Sequence, residues 1–527
     1  MFDLLIKNAL VYDGSGSPAY YANVAVMEGK IAAISSNDLG TAKIIVDANG
    51  LALSPGFIDV HSHSDYSLHA DGHRLHVLRM GVTTEISGQC GNSISPAMDT
   101  MTDETREFLR NRRSPLYATM AEHMDAFKTW EIGPNQLHFT GHGLLRGGAM
   151  QLESRPATDE EIGVMQKALA QAIAEGSAGV STGLSYVPGI YSNTHELTEL
   201  GRTAGQYGGM YVTHSRSESM GLFDSVAECI HIAKEGNVPV NISHFKCVGK
   251  VFWERCEKAL SMIDDALEEG VDLSLDAYPY IAASTTTLSA IPPKYLDHGA
   301  VAFAKSLEDP EIVEAIRKEI YEINDPSWDN SMYYVGLDNF LIVRAEYTPW
   351  AIGKTYAQVA EELGMEPFDA VVHLLKANKG SVFECRFSMC EENVETILKH
   401  PKCMVGSDGI YVPGDVICHP RAMGTFPRYL GRYIRQKQIL SREEGIHRIT
   451  GMPAKRYGLA GKGLIREGYD ADLVLFDYDT IIDQADFTDP FKPNIGIHQL
   501  YIDGKLVLQD NEPTGIWNGK YIFRQKK

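Results

Sequence analysis

The segment ATDEEIGVMQKALAQAIAEGSAGVSTGLSY, residues 157–186, indicates the fold of most of the chain. Thr158 and Glu161 have the spacing of a capping box at a helix start, and Gly176 is the residue type that ends a helix. The apolar run GVSTGLSY follows at once and predicts a buried strand. A helix that leads directly into a strand is the repeating unit of parallel βαβ proteins.

The same alternation continues on both sides of this segment. Short apolar runs recur through the centre of the chain, namely GVTTEIS, QLHFTG, GMYVTHS, VPVNISH, VDLSLDAYPY and CMVGSDG. Helix-forming segments such as FDSVAECIHIAKEG separate them. Strands and helices in this order favour an α/β fold, most economically a (β/α)8 TIM-type barrel. We expect the catalytic barrel to occupy residues 56–454.

The two ends of the chain differ from its centre. Residues 1–55 contain LLIKNALVYD, YANVAVMEG, KIAAISS and KIIVDANG, which are strand-like runs separated by Gly and Asn. Residues 455–527 contain DADLVLFDYD, IHQLYIDGKLVLQ and GKYIFRQ, which are similar. Together the ends predict one small β-sandwich domain. The rhythm also breaks at about residues 285–345, which predicts a lid insertion over the barrel mouth.

Composition excludes several classes of function. The 527 residues carry a net charge of −21 with no Lys/Arg block, so phosphate backbones and anionic lipid surfaces are repelled. No signal peptide is apparent, and no apolar run of about 18 residues could span a membrane. The eight cysteines are scattered and form no disulfide framework. We expect a cytoplasmic protein that acts on a small molecule and binds neither nucleic acid nor membrane.

Residues of the types that bind metal ions follow the predicted barrel strands. SPGFIDVHSHSD, residues 54–65, places His61 and His63 on the same side of a strand. Four further residues each follow an apolar run: Cys90, His214, His244 and Asp408. Taken alone, Cys90 is typical of a buried apolar residue and Asp408 of a turn. Because the carboxyl ends of barrel strands open on one face, their joint occurrence predicts a metal site. Imidazole and thiolate ligands suit zinc.

Longer motifs resemble the amidohydrolase superfamily and, within it, the N-acyl-D-amino-acid deacylases, also called D-aminoacylases. They span nearly the whole chain: SPGFIDVHSHSD, GQCGNS, SAGVSTGLSYVPG, THSRSE, ISHFK, DAYPY, VGSDG, HPRAMGTFPR and PAKRYGLAGKGLIREGYDADLVLFD. The His-x-His pattern alone is typical of the superfamily, whereas GQCG, STGLSY and HPRAMGTFPR are narrower. The resemblance implies a barrel with a small β domain, a lid insertion after DAYPY, and zinc-dependent hydrolysis of N-acyl-D-amino acids to a D-amino acid and a carboxylic acid.

The resemblance also implies roles for individual residues. It makes Cys90, His214 and His244 the ligands of a tightly held zinc ion, with a second, weaker position formed by His61, His63 and Asp408. Cys90 would bridge the two positions, and the strand SAGVSTGLSYVPG lacks the carbamylated lysine that many superfamily members use. Asp408 is the implied general base. The implied substrate-binding residues, most of them for the α-carboxylate, are Tyr186, Lys246, Arg421 and Ser284.

Other functions stay open at this stage. A cyclic-amide hydrolase of the hydantoinase or dihydroorotase kind shares the His-x-His strand, and a non-catalytic scaffold shares the fold. Residues 281–300 contain no arginine that could bind an acidic side chain, which favours an apolar or small polar D-amino acid. The acyl group, the number of metal ions, the oligomeric state and regulation are not indicated by the sequence.

Overall fold

Both ends of the chain contribute strands to one β-sheet. A computed structural model of the protein describes residues 1–110, 114–323 and 325–525. The strands of this sheet, numbered along the chain, are β1 Phe2–Val11, β2 Tyr20–Met27, β3 Lys30–Ser35, β4 Ala42–Asp47, β5 Ala52–Pro55, β18 Leu473–Phe476, β19 Ile497–Ile502, β20 Lys505–Gln509 and β21 Glu512–Pro513. They pair in the order β21-β20-β19-β18-β5-β1-β2-β3, with β4 beside β1.

Strand β18 joins the two chain ends and packs on both faces. It pairs antiparallel with β5, and Leu475 of β18 lies opposite Leu53 of β5. Leu473 and Leu475 pack into the core of this small domain, whereas Val474 and Phe476 pack into the core of the rest of the protein. This two-sided burial explains why the apolar run of β18 is uninterrupted. The predicted β-sandwich domain is confirmed.

The central part of the chain forms the predicted barrel. Its strands are β6 Phe57–Asp59, β7 Val82–Ser87, β8 Asn135–His138, β9 Thr140–Gly141, β10 Gly179–Gly183, β11 Met210–His214, β12 Val240–Ile242, β13 Leu273–Ala277 and β17 Cys403–Val405. All pair in parallel, in the orders β6-β7-β8 and β9-β10-β11-β12-β13-β17. Since only Phe139 separates β8 from β9, these two count as one barrel strand. A parallel bridge between Ser62 and Gly409 closes the barrel.

Helices alternate with these strands and continue into the remainder of the chain. They are α1 Leu75–Leu78, α2 Asp103–Leu109, α3 Met120–Phe127, α4 His142–Met150, α5 Asp159–Glu175, α6 Thr194–Gln206, α7 Leu222–Gly236, α8 Cys256–Glu268, α9 Gly299–Ser306, α10 Pro310–Glu322, α11 Ser331–Val335, α12 Tyr356–Leu363, α13 Pro367–Ala377, α14 Glu391–Lys399, α15 Arg421–Arg428, α16 Arg442–Ile449 and α17 Gly451–Arg456. Thr158 and Glu161 form the predicted capping box of α5, and Gly176 ends that helix. None of the helices in the described residues is both long and apolar enough to cross a membrane.

An insertion separates β13 from β17. It contains an antiparallel sheet of β14 Ala282–Thr286, β16 Val382–Phe387 and β15 Phe340–Ala345, in that order, together with α9–α13. Its core is distinct from that of the barrel and includes Phe303, Trp328, Phe340 and Tyr356. The sheet of the insertion extends from residue 282 to residue 387, whereas the sequence pattern predicts an insertion over about residues 285–345. The boundaries of the domains stay a prediction.

The C-terminal segment, residues 519–525, contacts the small domain through Lys520 and Asp503 and also pairs with barrel strand β8. The backbone amide of Gln136 on β8 donates to the carbonyl of Lys520, and the backbone amide of Ile522 donates to the carbonyl of Gln136. The ring of Tyr521 stacks on His138 and meets Phe127 edge-on. These aromatic contacts hold the end of the chain against the barrel.

Candidate active site

The six predicted ligands meet at the carboxyl ends of the barrel strands, in two groups. One group is Cys90, His214 and His244, and the other is His61, His63, Cys90 and Asp408; the donor atoms in each group lie within 4.8 Å of one another. The Sγ of Cys90 is 3.4 Å from Nε2 of His61 and 3.3 Å from Nε2 of His244. This arrangement offers two neighbouring metal positions that share one thiolate.

Three of the six ligands have a backbone conformation that non-glycine residues rarely adopt. The φ angles of Cys90, His244 and Asp408 are 53°, 35° and 48°. Such strain is typical of functional sites, where the surrounding structure holds it. Beside Cys90, a Cβ atom at Gly183 would come within 2.1 Å of the Cys90 carbonyl oxygen, so this close approach of β10 to the cysteine requires glycine.

Neighbouring charges favour the deprotonated forms of Cys90 and Asp408, which are the forms that bind metals. Burial raises the pKa of the Cys90 thiol, but His244 and His61 outweigh this and hold it well below its usual value. Burial likewise raises the pKa of Asp408, and Arg421 and the histidines lower it well below the normal value. A thiolate and a carboxylate among imidazoles fit a zinc ion or a similar metal ion.

Asp276 supports the ligands from behind. Its Oδ1 lies 3.3 Å from Nδ1 of His61 and accepts a hydrogen bond of 2.9 Å from the amide of His244. Asn241 donates to its other oxygen at 2.6 Å. A carboxylate on Nδ1 directs Nε2 of the histidine toward a metal. Asp276 belongs to the motif DAYPY, but the sequence pattern does not indicate its role.

Glu218 is a second acidic residue of the site whose role the sequence does not predict. Its Oε1 lies 3.1 Å from Nδ1 of His244 and 2.5 Å from Nζ of Lys246. Lys246 is buried and also donates to the His244 carbonyl at 2.7 Å. The lysine is therefore placed beside the metal ligands by an ion pair. The motif THSRSE contains Glu218, but its role depends on a tertiary contact.

The other predicted substrate-binding residues lie around the same space. Tyr186 Oη is 3.0 Å from Thr285 Oγ1, next to Ser284 on β14. Arg421 Nη2 is 2.9 Å from Asp408 Oδ2 and donates to the Ser284 carbonyl at 3.2 Å. Within the described residues, Nε and Nη1 of this buried arginine have no hydrogen-bond partner. The guanidinium also packs on the ring of Tyr278 at 4.6 Å, and Arg421 is not among the described residues that line the cavity above the site.

A cavity of about 800 Å³ opens above these side chains. Five of the six predicted ligands line it on the barrel side together with Tyr186 and Lys246, namely His63, Cys90, His214, His244 and Asp408. The insertion, including Ser284 on β14, lines the other side. A recess of about 90 Å³ beside Tyr186 is mainly apolar and is lined by Val187, Ile190, Leu288, Ile291, Leu296 and Trp328, among others. Arg386 reaches Ser289 of this recess at 2.8 Å, but Glu384 pairs with it at 2.6 Å.

Known proteins resemble this chain over its whole length. The amidohydrolase family profile matches residues 45–508. The D-aminoacylase of Alcaligenes xylosoxydans xylosoxydans is 34% identical over 99% of this chain and 98% of its own length. The N-acyl-D-aspartate deacylase of the same organism is 32% identical over 97% and 93%.

A solved structure adds a ligand complex. The N-acyl-D-glutamate deacylase of Bordetella bronchiseptica, complexed with zinc and a phosphonate that mimics the tetrahedral intermediate, is 30% identical and superposes with a TM-score of 0.84 over 99% of this chain and all of that one. The match of fold, sequence and length leaves no large part of the chain unaccounted for. The chain belongs to the amidohydrolase family and, within it, to the group of D-aminoacylases and N-acyl-D-amino-acid deacylases.

Proposed function

We propose that this protein is a zinc-dependent N-acyl-D-amino-acid deacylase, which hydrolyses a linear amide to a free D-amino acid and a carboxylic acid. The observation that carries the proposal is the pair of ligand groups that share Cys90, with Asp408 beside them. The similarity to the relatives described above supports it. The cytoplasmic location and the lack of a nucleic-acid partner stay predictions from the composition.

The proposed zinc ligands are the six residues that the sequence predicts. Cys90, His214 and His244 hold the tighter position, and His61, His63 and Asp408 surround the weaker one. When bound, zinc polarises a carbonyl and lowers the pKa of water to about 7. The chain has the donor chemistry for this ion, because its thiolate is stabilised by neighbouring histidines.

Asp408 is the proposed general base. The Arg421 guanidinium at 2.9 Å keeps its carboxylate ionised. The carboxylate takes a proton from the attacking water and later delivers it to the nitrogen of the leaving amine, so one group serves both proton transfers. Its position at the end of β17, beside His63 at 3.1 Å, places it at the rim of the ligand groups.

The substrate carboxylate requires cations and donors. Lys246 and Arg421 are the proposed cations. Lys246 lines the cavity together with Tyr186 and Ser284, and the buried Arg421 lies 2.9 Å from Asp408. Arginine can hold a carboxylate in a fixed orientation, which a single point charge does not. Three fixed points around Cα, namely the reacting amide, the carboxylate and the side-chain recess, would distinguish D from L substrates.

The recess favours an apolar D-amino acid. Its lining is largely aliphatic and aromatic, and the charge of the nearby Arg386 is matched by Glu384. An acidic side chain would lose its hydration there without gaining an unpaired cation. We therefore expect D-leucine or D-methionine derivatives to be better substrates than D-aspartate derivatives.

The test is amine release from matched panels of N-acetyl-D- and N-acetyl-L-amino acids. Zinc-loaded protein should release amine from D substrates only, and protein stripped with a chelator should release none. Ring opening of a hydantoin or dihydrouracil, without amine release from either panel, would contradict the proposal and favour the cyclic-amide alternative. Zinc-independent release would contradict the metal role.

A further inference from the structure

Asp329 connects the insertion to the loop that follows β11. It lies between α10 and α11 and lines both the large cavity and the apolar recess. Its Oδ1 accepts hydrogen bonds from the hydroxyls of Ser217, at 2.5 Å, and of Ser219. Its Oδ2 accepts from the backbone amide of Glu218 at 2.7 Å. One carboxylate of the insertion therefore binds three consecutive residues of a barrel loop.

The residue in the middle of this loop contacts the active site directly. The side chain of Glu218 pairs with Lys246 at 2.5 Å and with Nδ1 of His244 at 3.1 Å. Its backbone carbonyl accepts a hydrogen bond of 2.8 Å from the amide of Val248, two residues after the same lysine. The position of the Glu218 backbone thus affects a proposed carboxylate-binding residue and a proposed metal ligand together.

The loop has other anchors, so loss of Asp329 should shift it without unfolding it. The amide of Ser217 donates to Ser225 Oγ at 2.8 Å, and Gly221 donates to Ser217 Oγ at 3.0 Å. These bonds lie on the barrel side of the loop. Within the part of the chain that the structure describes, only the bonds to Asp329 join the Ser217 and Ser219 hydroxyls and the Glu218 amide to one group of the insertion.

We propose that Asp329 is a positioning residue for the active site: by binding residues 217–219 it sets Glu218 so that Lys246 faces the substrate and His244 faces the metal. The inference rests on the proposed function. It gives the insertion a second role besides lining the recess, because the site is fully ordered only when the insertion is docked on the barrel. Asp329 itself does not need to touch the reacting atoms.

The inference predicts two separable effects of Asp329→Ala. A displaced Lys246 weakens binding of the substrate carboxylate, so KM for an N-acetyl-D-amino acid should rise about 10-fold, with a smaller change in kcat. A less well oriented His244 should weaken zinc retention against a chelator by about 10-fold, which is in the range for residues that support metal ligands. Asp329→Asn should lie in between, since its oxygen still accepts from a hydroxyl.

Glu319→Gln is the matched control. Glu319 is a largely buried carboxylate of α10, and it pairs with Lys294 at 2.5 Å, away from the 217–219 loop. We expect this variant to lower the melting temperature without changing KM or zinc retention. It separates a general weakening of the insertion from the specific effect of Asp329.

A double-mutant cycle decides whether Asp329 acts through Glu218. The double variant Asp329→Ala/Glu218→Gln should be no worse than Glu218→Gln alone in KM and in zinc retention. Additive effects, or wild-type KM and zinc retention in folded Asp329→Ala, would overturn the inference. Zinc retention needs no substrate, so it still decides the inference if the wild-type protein releases no amine and the proposed function fails.

Discussion

The carboxyl ends of the barrel strands and the insertion form opposite walls of one cavity, but they are built in different ways. On the barrel wall, each predicted ligand lies at or just after the end of a strand, so parallel pairing alone brings His61, Cys90 and Asp408 together. On the insertion wall, Leu288, Trp328 and Asp329 come from segments with no common motif and meet through their own core. The comparison suggests that the barrel wall carries the chemistry and the insertion wall the selectivity.

The largest effect is expected on the barrel wall, from Asp408→Asn. The amide cannot take a proton from water at neutral pH, so kcat should fall by about 10³-fold or more, near the upper range for loss of a general base. Zinc should stay bound, because the proposed tighter ligand group of Cys90, His214 and His244 is unchanged. Metal analysis measures the bound zinc, and an assay with an N-acetyl-D-amino acid measures kcat.

Asp489→Asn is the control for this change, since it removes a carboxylate from an exposed position. It should have wild-type kcat. Turnover by Asp408→Asn within about 10-fold of the wild type would rule out the base assignment, because general acid–base catalysis contributes at least about 10²-fold. It would also remove the sharpest contrast between the two walls.

The second effect, also on the barrel wall, concerns the metal itself. Cys90→Ser replaces the shared thiolate with a neutral hydroxyl, so zinc retention against a chelator should fall by more than about 100-fold, beyond the loss expected for a supporting residue. Cys229→Ser, a change of another buried cysteine on α7, should not affect it. Equal zinc retention by the two variants would mean that Cys90 is not a ligand.

The difference between the walls also explains what the sequence could predict. The strand ends have local signals, such as an apolar run followed by a histidine, and register then fixes where they meet, as in the pairing of Gly183 with His214. The helix start at Thr158 is equally local. These predictions needed no knowledge of distant contacts.

The supporting residues lack such signals. Glu218 and Asp276 look like ordinary acidic residues in the sequence, and their roles arise from contacts with His244 and His61, which belong to other strands of the barrel. Asp329 reaches residues that precede it by more than 100 positions. The sequence does not predict the sheet of the insertion for the same reason, because β14 pairs with β16 across a long intervening segment. Long-range pairing of this kind is not encoded in a short pattern.

The smallest effect is expected on the insertion wall, from Leu288→Ala. Leu288 is half-buried and lines both the cavity and the recess. Removing its branched end should lower kcat/KM for N-acetyl-D-leucine about 10-fold, the lower end of what apolar pocket contacts contribute. N-acetyl-D-alanine does not fill the recess, so its kcat/KM should change less than about 2-fold.

Leu363→Ala, at a leucine of the insertion that is 40% exposed, controls for changes in the stability of the insertion. It should leave the ratio of the two substrates unchanged. An equal loss for both substrates in Leu288→Ala would mean that this residue supports catalysis in general, and the division between a chemical wall and a selective wall would no longer hold. A loss confined to N-acetyl-D-leucine would place side-chain selection on the insertion, because the ligand groups of the barrel are the same for both substrates.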